Sequence, residues 1–241
     1  MGLIPDSLMP SPEEAKRIIE ELLNTPVDLG SSTSVVGSSY KDVVFESVAY
    51  HESGRADKVL LSFDGSLARL RKAGFERHAR SQEVFGLLID GLEGKLADGL
   101  KGVHNDMLGG YGEWLSLAVE RKGDMLVAYL DPKKLAWDKN CGEYIVQGNQ
   151  VDCVGKETFG IKGKQSQTWI DLREFEDKFV KFVYGCSFSQ LPKLMQEGDE
   201  RAQVYLPLEG VVRPVCRGYF GRFSVNSYGY NYLASRGVRR R

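Results

Sequence analysis

Few residues of this chain stand at spacings that would support covalent chemistry. The histidines are His51, His78 and His104. None opens a metal-binding pair such as His-Glu-x-x-His. Cys141, Cys153, Cys186 and Cys216 include no close pair of the zinc-site kind. They read as buried or free thiols, and a Cys141–Cys153 bridge would need an oxidising compartment. "VYGCSFSQ" sets Cys186 beside two serines without the surroundings of a nucleophile elbow. The glycine-rich "GGYGEW", Gly109 to Trp114, precedes a strand, whereas a nucleotide loop follows one and opens a helix. Asp106 and Glu113 form a candidate carboxylate pair that solvated acids explain as well. No catalytic residue, metal ligand or cofactor is assigned on these patterns.

The residue types that do cluster suit recognition. The chain closes on "YFGRFSVNSYGYNYLASRGVRRR", Tyr219 to Arg241. Tyrosine brings a large amphipathic ring with few rotatable bonds, while Ser, Gly and Asn bring adaptable hydrogen bonding. Tyr219, Phe220, Ser224, Asn226, Ser227, Tyr228, Tyr230, Asn231 and Tyr232 are the candidate ligand-binding residues. The alternative is an aromatic final strand packed in a core. Such a strand should alternate aliphatic and polar residues, yet after Val225 no aliphatic residue appears until Leu233. An exposed or half-exposed loop is the better reading.

The elements that must hold this segment are partly legible. Ser11, Pro12 and Glu14 make a helix start for "PEEAKRIIEELLN", which Pro26 ends. "DVVFESVAYH" and "KVLLSFDG" read as strands. A helical region follows from about Ser66 to Leu100, with Val84, Phe85, Leu88, Ile89, Leu92 and Leu96 as its apolar stripe. Trp114 to Glu120 and Met125 to Leu130 form a hairpin around "RKGD". Residues 137–167 look irregular. "DLREFEDKFVKFVYG" reads as a helix capped by Asp171, with Leu172, Phe175, Phe179 and Phe182/Val183 inward. "SFSQLPKLMQEGDE" reads as a short helix or turn region. Several short strands follow from Ala202. The expected class is α+β, helices early and an antiparallel sheet late, in one domain over 1–241. Within it, 1–65 supplies the N-terminal helix and strands, and 211–241 the C-terminal strands with the aromatic segment.

The bulk numbers set limits. A length of 241 residues, 42% apolar content and 27% charged content suit a globular protein with a sizeable core. A formal net charge of -1 recruits neither nucleic acid nor an anionic membrane, so the "RGVRRR" end reads as a strand and tail. No apolar run reaches the roughly 20 residues of a membrane span. The start lacks signal-peptide features, and Asp6 stands where a myristoylation signal wants Ser or Thr. The default is a protein made in the cytoplasm; export by another route, to the cell surface or a virus particle, stays open, as does the oligomeric state.

The frame around the aromatic segment carries a resemblance. "VVRPVCRGYFGRF…RGVR" resembles the ending of C-type lectin folds of the formylglycine-generating-enzyme subtype. The matching positions are Arg217, Gly218, Phe223, Gly237, Val238 and Arg239. More narrowly, the chain looks like a variable protein of a diversity-generating retroelement, of the archaeal type. The resemblance implies a C-type lectin scaffold whose C-terminal residues are rewritten at adenines, often within asparagine codons. Such rewriting cannot yield Lys, Glu, Gln, Met or Trp, and none of these occurs from Val211 to Arg241. The implied function is binding of a protein or cell-surface ligand. The cysteine pair of formylglycine-generating enzymes finds no match here, and the Glu-Pro-Asn and Gln-Pro-Asp signatures of calcium-dependent lectins are absent. An oxidoreductase on the same fold remains the alternative, predicting a pocket lined by Cys216 or Cys186 with a metal or second thiol. A structural assembly protein that buries its tyrosine-rich end at a subunit interface is a third reading.

Overall fold

The computed structural model describes residues 39–47, 62–109, 112–138, 143–146, 148–162, 169–192, 203–206, 211–217, 223–225 and 233–241. All lie in the compact unit Val35–Arg241. The expected helix after Ser11 lies outside the described residues, as do the end of "DVVFESVAYH" (48–51) and the start of "KVLLSFDG" (58–61). Helices and mostly antiparallel sheets make the chain a mixed α and β protein.

A seven-stranded sheet organises the fold. Its strands are β3 (Glu113–Lys122), β4 (Met125–Leu130), β7 (Gly155–Gly160), β8 (Trp169–Asp171), β9 (Gln203–Tyr205), β10 (Arg213–Arg217) and β11 (Phe223–Val225). Their order is β7-β4-β3-β10-β11-β9-β8, and only β11 and β9 run parallel. The predicted hairpin supplies its second and third strands, with Lys122 opposite Met125 across a two-residue loop. Gly123 takes φ +60° there, the left-handed conformation a tight hairpin turn requires. The turn is shorter than "RKGD" because Arg121 and Lys122 continue the strand. Alternate residues of β3 feed two cores. Leu115, Leu117 and Val119 join one, Trp114 and Ala118 the other.

Helices cover the first core. The predicted helical region is three helices: α1 (Phe63–Lys72), α2 (Ser81–Leu92) and α3 (Asp98–Gly109), with the short strand β2 (Arg77–His78) between the first two. Ser62 caps α1 by accepting from Gly65 N at 3.1 Å, so "KVLLSFDG" ends in a helix and not in a strand. Val84, Phe85, Leu88 and Ile89 of α2 are buried as the stripe requires, but Leu92 is exposed. Helix α4 (Asp177–Tyr184) is shorter than expected. Asp171 caps a preceding 3-10 turn, and Phe175 bridges Ile161 in extended conformation before the α-helix begins. Leu172, Phe175, Phe179 and Val183 are nevertheless all buried in the first core. Phe188–Gln190 forms a further 3-10 turn.

The second core lies on the opposite sheet face, where Phe63 and Leu67 of α1 meet Leu135, Tyr144 and Val146. Two short strands, β5 (Trp137–Asp138) and β6 (Glu143–Tyr144), pair in that region. Residues 137–167, expected to be irregular, also supply β7. A separate three-stranded sheet joins the two ends of the described chain. The final strand β12 (Gly237–Arg240) lies between β1 (Val43–Phe45) and β2, antiparallel to both.

Candidate recognition surface and its frame

Eight candidate ligand-binding residues, Tyr219, Phe220, Asn226, Ser227, Tyr228, Tyr230, Asn231 and Tyr232, lie outside the described residues, as does Gly218 of the frame. The ninth, Ser224, occupies the middle of β11, in register with Cys216 on one side and Tyr205 on the other. What the structure resolves is how the segment is fastened.

Residues 218–232 begin and end beside the same residue. Arg217, which precedes them, pairs with Glu113 in the β10–β3 ladder. Ala234, just after them, bridges Glu113 from the other side. Trp114 N donates to Ala234 O at 3.1 Å, and Ala234 N donates to Gly112 O at 2.6 Å. Two strand spacings put the anchors roughly 10 Å apart. The vacancy exists because β4 pairs with β3 only from Leu117 onward.

The side chains repeat this arrangement. Arg217 Nη2 donates to Glu113 Oε1 at 3.2 Å, while Arg236 donates to Oε1 from Nη2 and to Oε2 from Nε, both at 3.0 Å. Arg236 also donates to Asp106 Oδ2 and, through Nη1, to the carbonyls of Glu46 at 2.6 Å and Ser47 at 3.1 Å. The Glu113, Arg217 and Arg236 side chains are at most 2% exposed. Burial alone would lower the pKa of Arg236. The charges and hydrogen bonds of Glu113 and Asp106 outweigh it and hold the guanidinium above its ordinary value. A second carboxylate extends the clamp. Glu46 accepts from Arg69 at 2.9 and 2.6 Å and from Gly237 N at 3.0 Å. These buried, hydrogen-bonded charge pairs hold the flanking residues, Arg217 and Ala234–Gly237, in one register, since any shift would strand a charge in the core.

The frame residues fare unequally. Arg217, Phe223 and Val238 are buried. Gly237 faces Phe75 and Leu70 so closely that an added Cβ would stand 2.4 Å from the Phe75 ring. Arg239 is exposed, and its strand position opposes Val44. The buried arginine of "RGVR" is Arg236. Its parity with Val238 was the available signal, because in a strand alternate residues share a face.

Glu113 and Asp106 do come together, as two acceptors on Arg236, with Glu113 buried and Asp106 partly exposed. The Glu113 side chain is 2% exposed and spends both oxygens on guanidinium donors. His78 Nε2 lies 2.6 Å from Ser66 Oγ with both residues fully buried, so this pair cannot attack a solvent-borne substrate. His104 packs against Gly91, and His51 lies outside the described residues. Cys216 joins the second core, whereas Cys186 packs against the first. Cys153 is a free thiol; Cys141 lies outside the described residues. Among the described residues, no three His, Cys, Asp or Glu side chains converge as a metal would need, and no helix is long and apolar enough to cross a membrane.

Fold and frame therefore define a mixed α and β protein that fastens a tyrosine-rich segment at both ends. Comparison of the chain with family models, curated proteins and solved structures returns no match.

Proposed function

We propose that this chain is a ligand-binding protein, with its C-terminal segment as a recognition surface diversified by a retroelement on a C-type lectin scaffold of the formylglycine-generating-enzyme subtype. The supporting observation is the clamp on Glu113. It fixes Arg217 and the residues from Ala234 to Arg236, one on each side of the candidate segment, through groups outside that segment. A surface whose side chains are rewritten needs this separation. Its backbone ends must be set by residues that stay constant, so that new side chains change the ligand and leave the fold. Tyr219, Phe220, Tyr228, Tyr230 and Tyr232 supply contact area, and Ser224, Asn226, Ser227 and Asn231 supply hydrogen bonding. The ligand is a protein or cell-surface molecule.

Sequencing the DNA that flanks the gene tests the diversification. The expected finding is a reverse-transcriptase gene and a near-copy of the codons for Cys216–Arg241, differing chiefly at adenines. Across many copies of the gene, changes should fall between Gly218 and Leu233 and spare the codons of Glu113, Arg217 and Arg236. Flanks with neither element overturn the retroelement reading.

A further inference from the structure

His78 stands beside the second anchor of the segment, opposite Gly237 in the β2–β12 ladder. Its imidazole is fully buried against the Phe63 ring, 4.8 Å away between centroids, and Ser66, whose Oγ lies 2.6 Å from Nε2. No described group meets Nδ1. A charged imidazole needs an acceptor at each nitrogen, and this site supplies one only at Nε2. The surrounding charges are equally unfavourable. Arg69 and Arg71 act on the ring from α1, and Arg77 from β2 itself. The carboxylates near these guanidiniums are already bound: Glu46 of β1 by Arg69, Glu83 of α2 by Arg77, and Asp131 by Arg80. Glu76 accepts from Arg240 N at 3.2 Å. No described carboxylate pairs with Arg71. Strand β12 sets Gly237, without a side chain, opposite His78, and Ser116 of β3 meets the chain at Ala79 O.

Helix α1 joins this ring to the fastening of the segment. Ser66 and Arg69 are three residues apart and share one helix face. Ser66 meets His78. Arg69 Nη2 donates to Ser235 O at 3.1 Å and to Glu46 Oε2 at 2.6 Å, the oxygen that also receives Gly237 N. A positive charge on His78 therefore repels the guanidinium that fastens the residue after Ala234. We infer that His78 is an acid-operated latch: protonation of its ring lifts α1 from β2 and β12 and frees the chain from Ala234 to Gly237, while the β3–β4 hairpin stays paired. Its use, letting go of a bound partner in acid, rests on the binding function proposed above. The closed site holds the ring neutral down to about pH 3, whereas opening restores the ordinary value near 6.5. The opened form thus binds the proton first. Closure is complete above about pH 6.5 and is lost as pH falls toward 3.

Hydrogen exchange of the full chain, read by mass spectrometry at pH 6.5 and 4.5, tests the latch without any ligand. The reference is His78→Gln, which stays neutral and shares every carboxylate with the parent. Relative to it, opening of residues 62–72 and 233–241 in the parent should rise about fiftyfold from pH 6.5 to 4.5. Peptides from Glu113 to Leu130 should keep their protection in both chains. If His78→Gln fails to fold, Arg71→Gln is read in its place. Removing that cation eases protonation of the closed ring, so the acid response should shrink severalfold. Opening that rises equally in the parent and the variant overturns the inference. So does protection lost in acid as fully from the hairpin as from α1, because the event is then global unfolding. Either result leaves the proposed binding function standing, since that function is tested separately on the flanking DNA.

Discussion

Glu113 concentrates more of the fold than any other single carboxylate described, because two buried guanidiniums depend on it. Glu113→Gln keeps the shape and removes the charge that both guanidiniums share, leaving Asp106 as the carboxylate on Arg236. Removing one partner of a buried pair typically costs about 3–5 kcal/mol. Urea unfolding should show a loss of this order; a loss below about 1 kcal/mol would mean that water reaches the cluster. His78 makes a second prediction. Burial, then the charges of Arg69, Arg71 and Arg77, push its pKa down to about 3. The unfolded chain, with an ordinary value of about 6.5, binds the proton first as pH falls. The stability from neutral His78 is thus complete above about pH 6.5 and is lost as pH falls toward 3. Between pH 6.5 and 5 the loss should be about 1–2 kcal/mol. His78→Gln, neutral throughout, should flatten the urea midpoint over that interval, and an unchanged slope would refute the assignment. Little of this was legible in the sequence. Glu113 looked like any acid at the start of a strand, and its meaning depends on partners 104 and 123 residues away.

Elements were legible where one short stretch carried the whole signal. The β3–β4 hairpin, the stripe of α2 and the inward residues before and within α4 all obey local periodicity. Strand β7 did not announce itself. "GKETFG" is a polar edge strand with one buried residue, Phe159, and its pairing with β4 is a tertiary fact. Helix α1 was hidden because Ser62 and Phe63 read equally well as strand until the Ser62 cap is seen. Strand β12 was recognised from its frame residues, but their physical roles appear only in the packing. Gly237 passes so close to Phe75 and Leu70 that a methyl group overlaps both. Gly237→Ala should therefore cost about 1–3 kcal/mol, the usual range for overpacking. Val44→Thr, at an exposed position of the neighbouring β1, should change stability by less than about 0.5 kcal/mol. Parallel thermal melts of the two variants decide the point, and a neutral Gly237→Ala would show that β12 can move away from α1.

At the scale of the molecule, the two larger sheets divide the work. The three-stranded sheet ties the last residues to β1 and β2, and the seven-stranded sheet carries the cores and the anchors of the segment. The composition of residues 218–232 allows two roles, a recognition segment or an aromatic core strand, and the two differ in what truncation costs. Buried aromatic side chains typically cost about 3–5 kcal/mol each when truncated. Three buried tyrosines would then cost about 9–15 kcal/mol, comparable with the roughly 5–15 kcal/mol that holds a whole domain. Replacing Tyr228, Tyr230 and Tyr232 together by serine is accordingly a sharp test. If they serve recognition, the triple variant should fold, with an unchanged far-ultraviolet spectrum and a urea midpoint close to that of the parent, because Glu113 and Glu46 still fasten the chain from Ala234 to Gly237. Its affinity for any partner of the parent should fall by about two orders of magnitude, as expected when several hot-spot aromatics are lost together. An unfolded triple variant would assign the tyrosines to the core. A folded variant that binds as well as its parent would move recognition away from the segment.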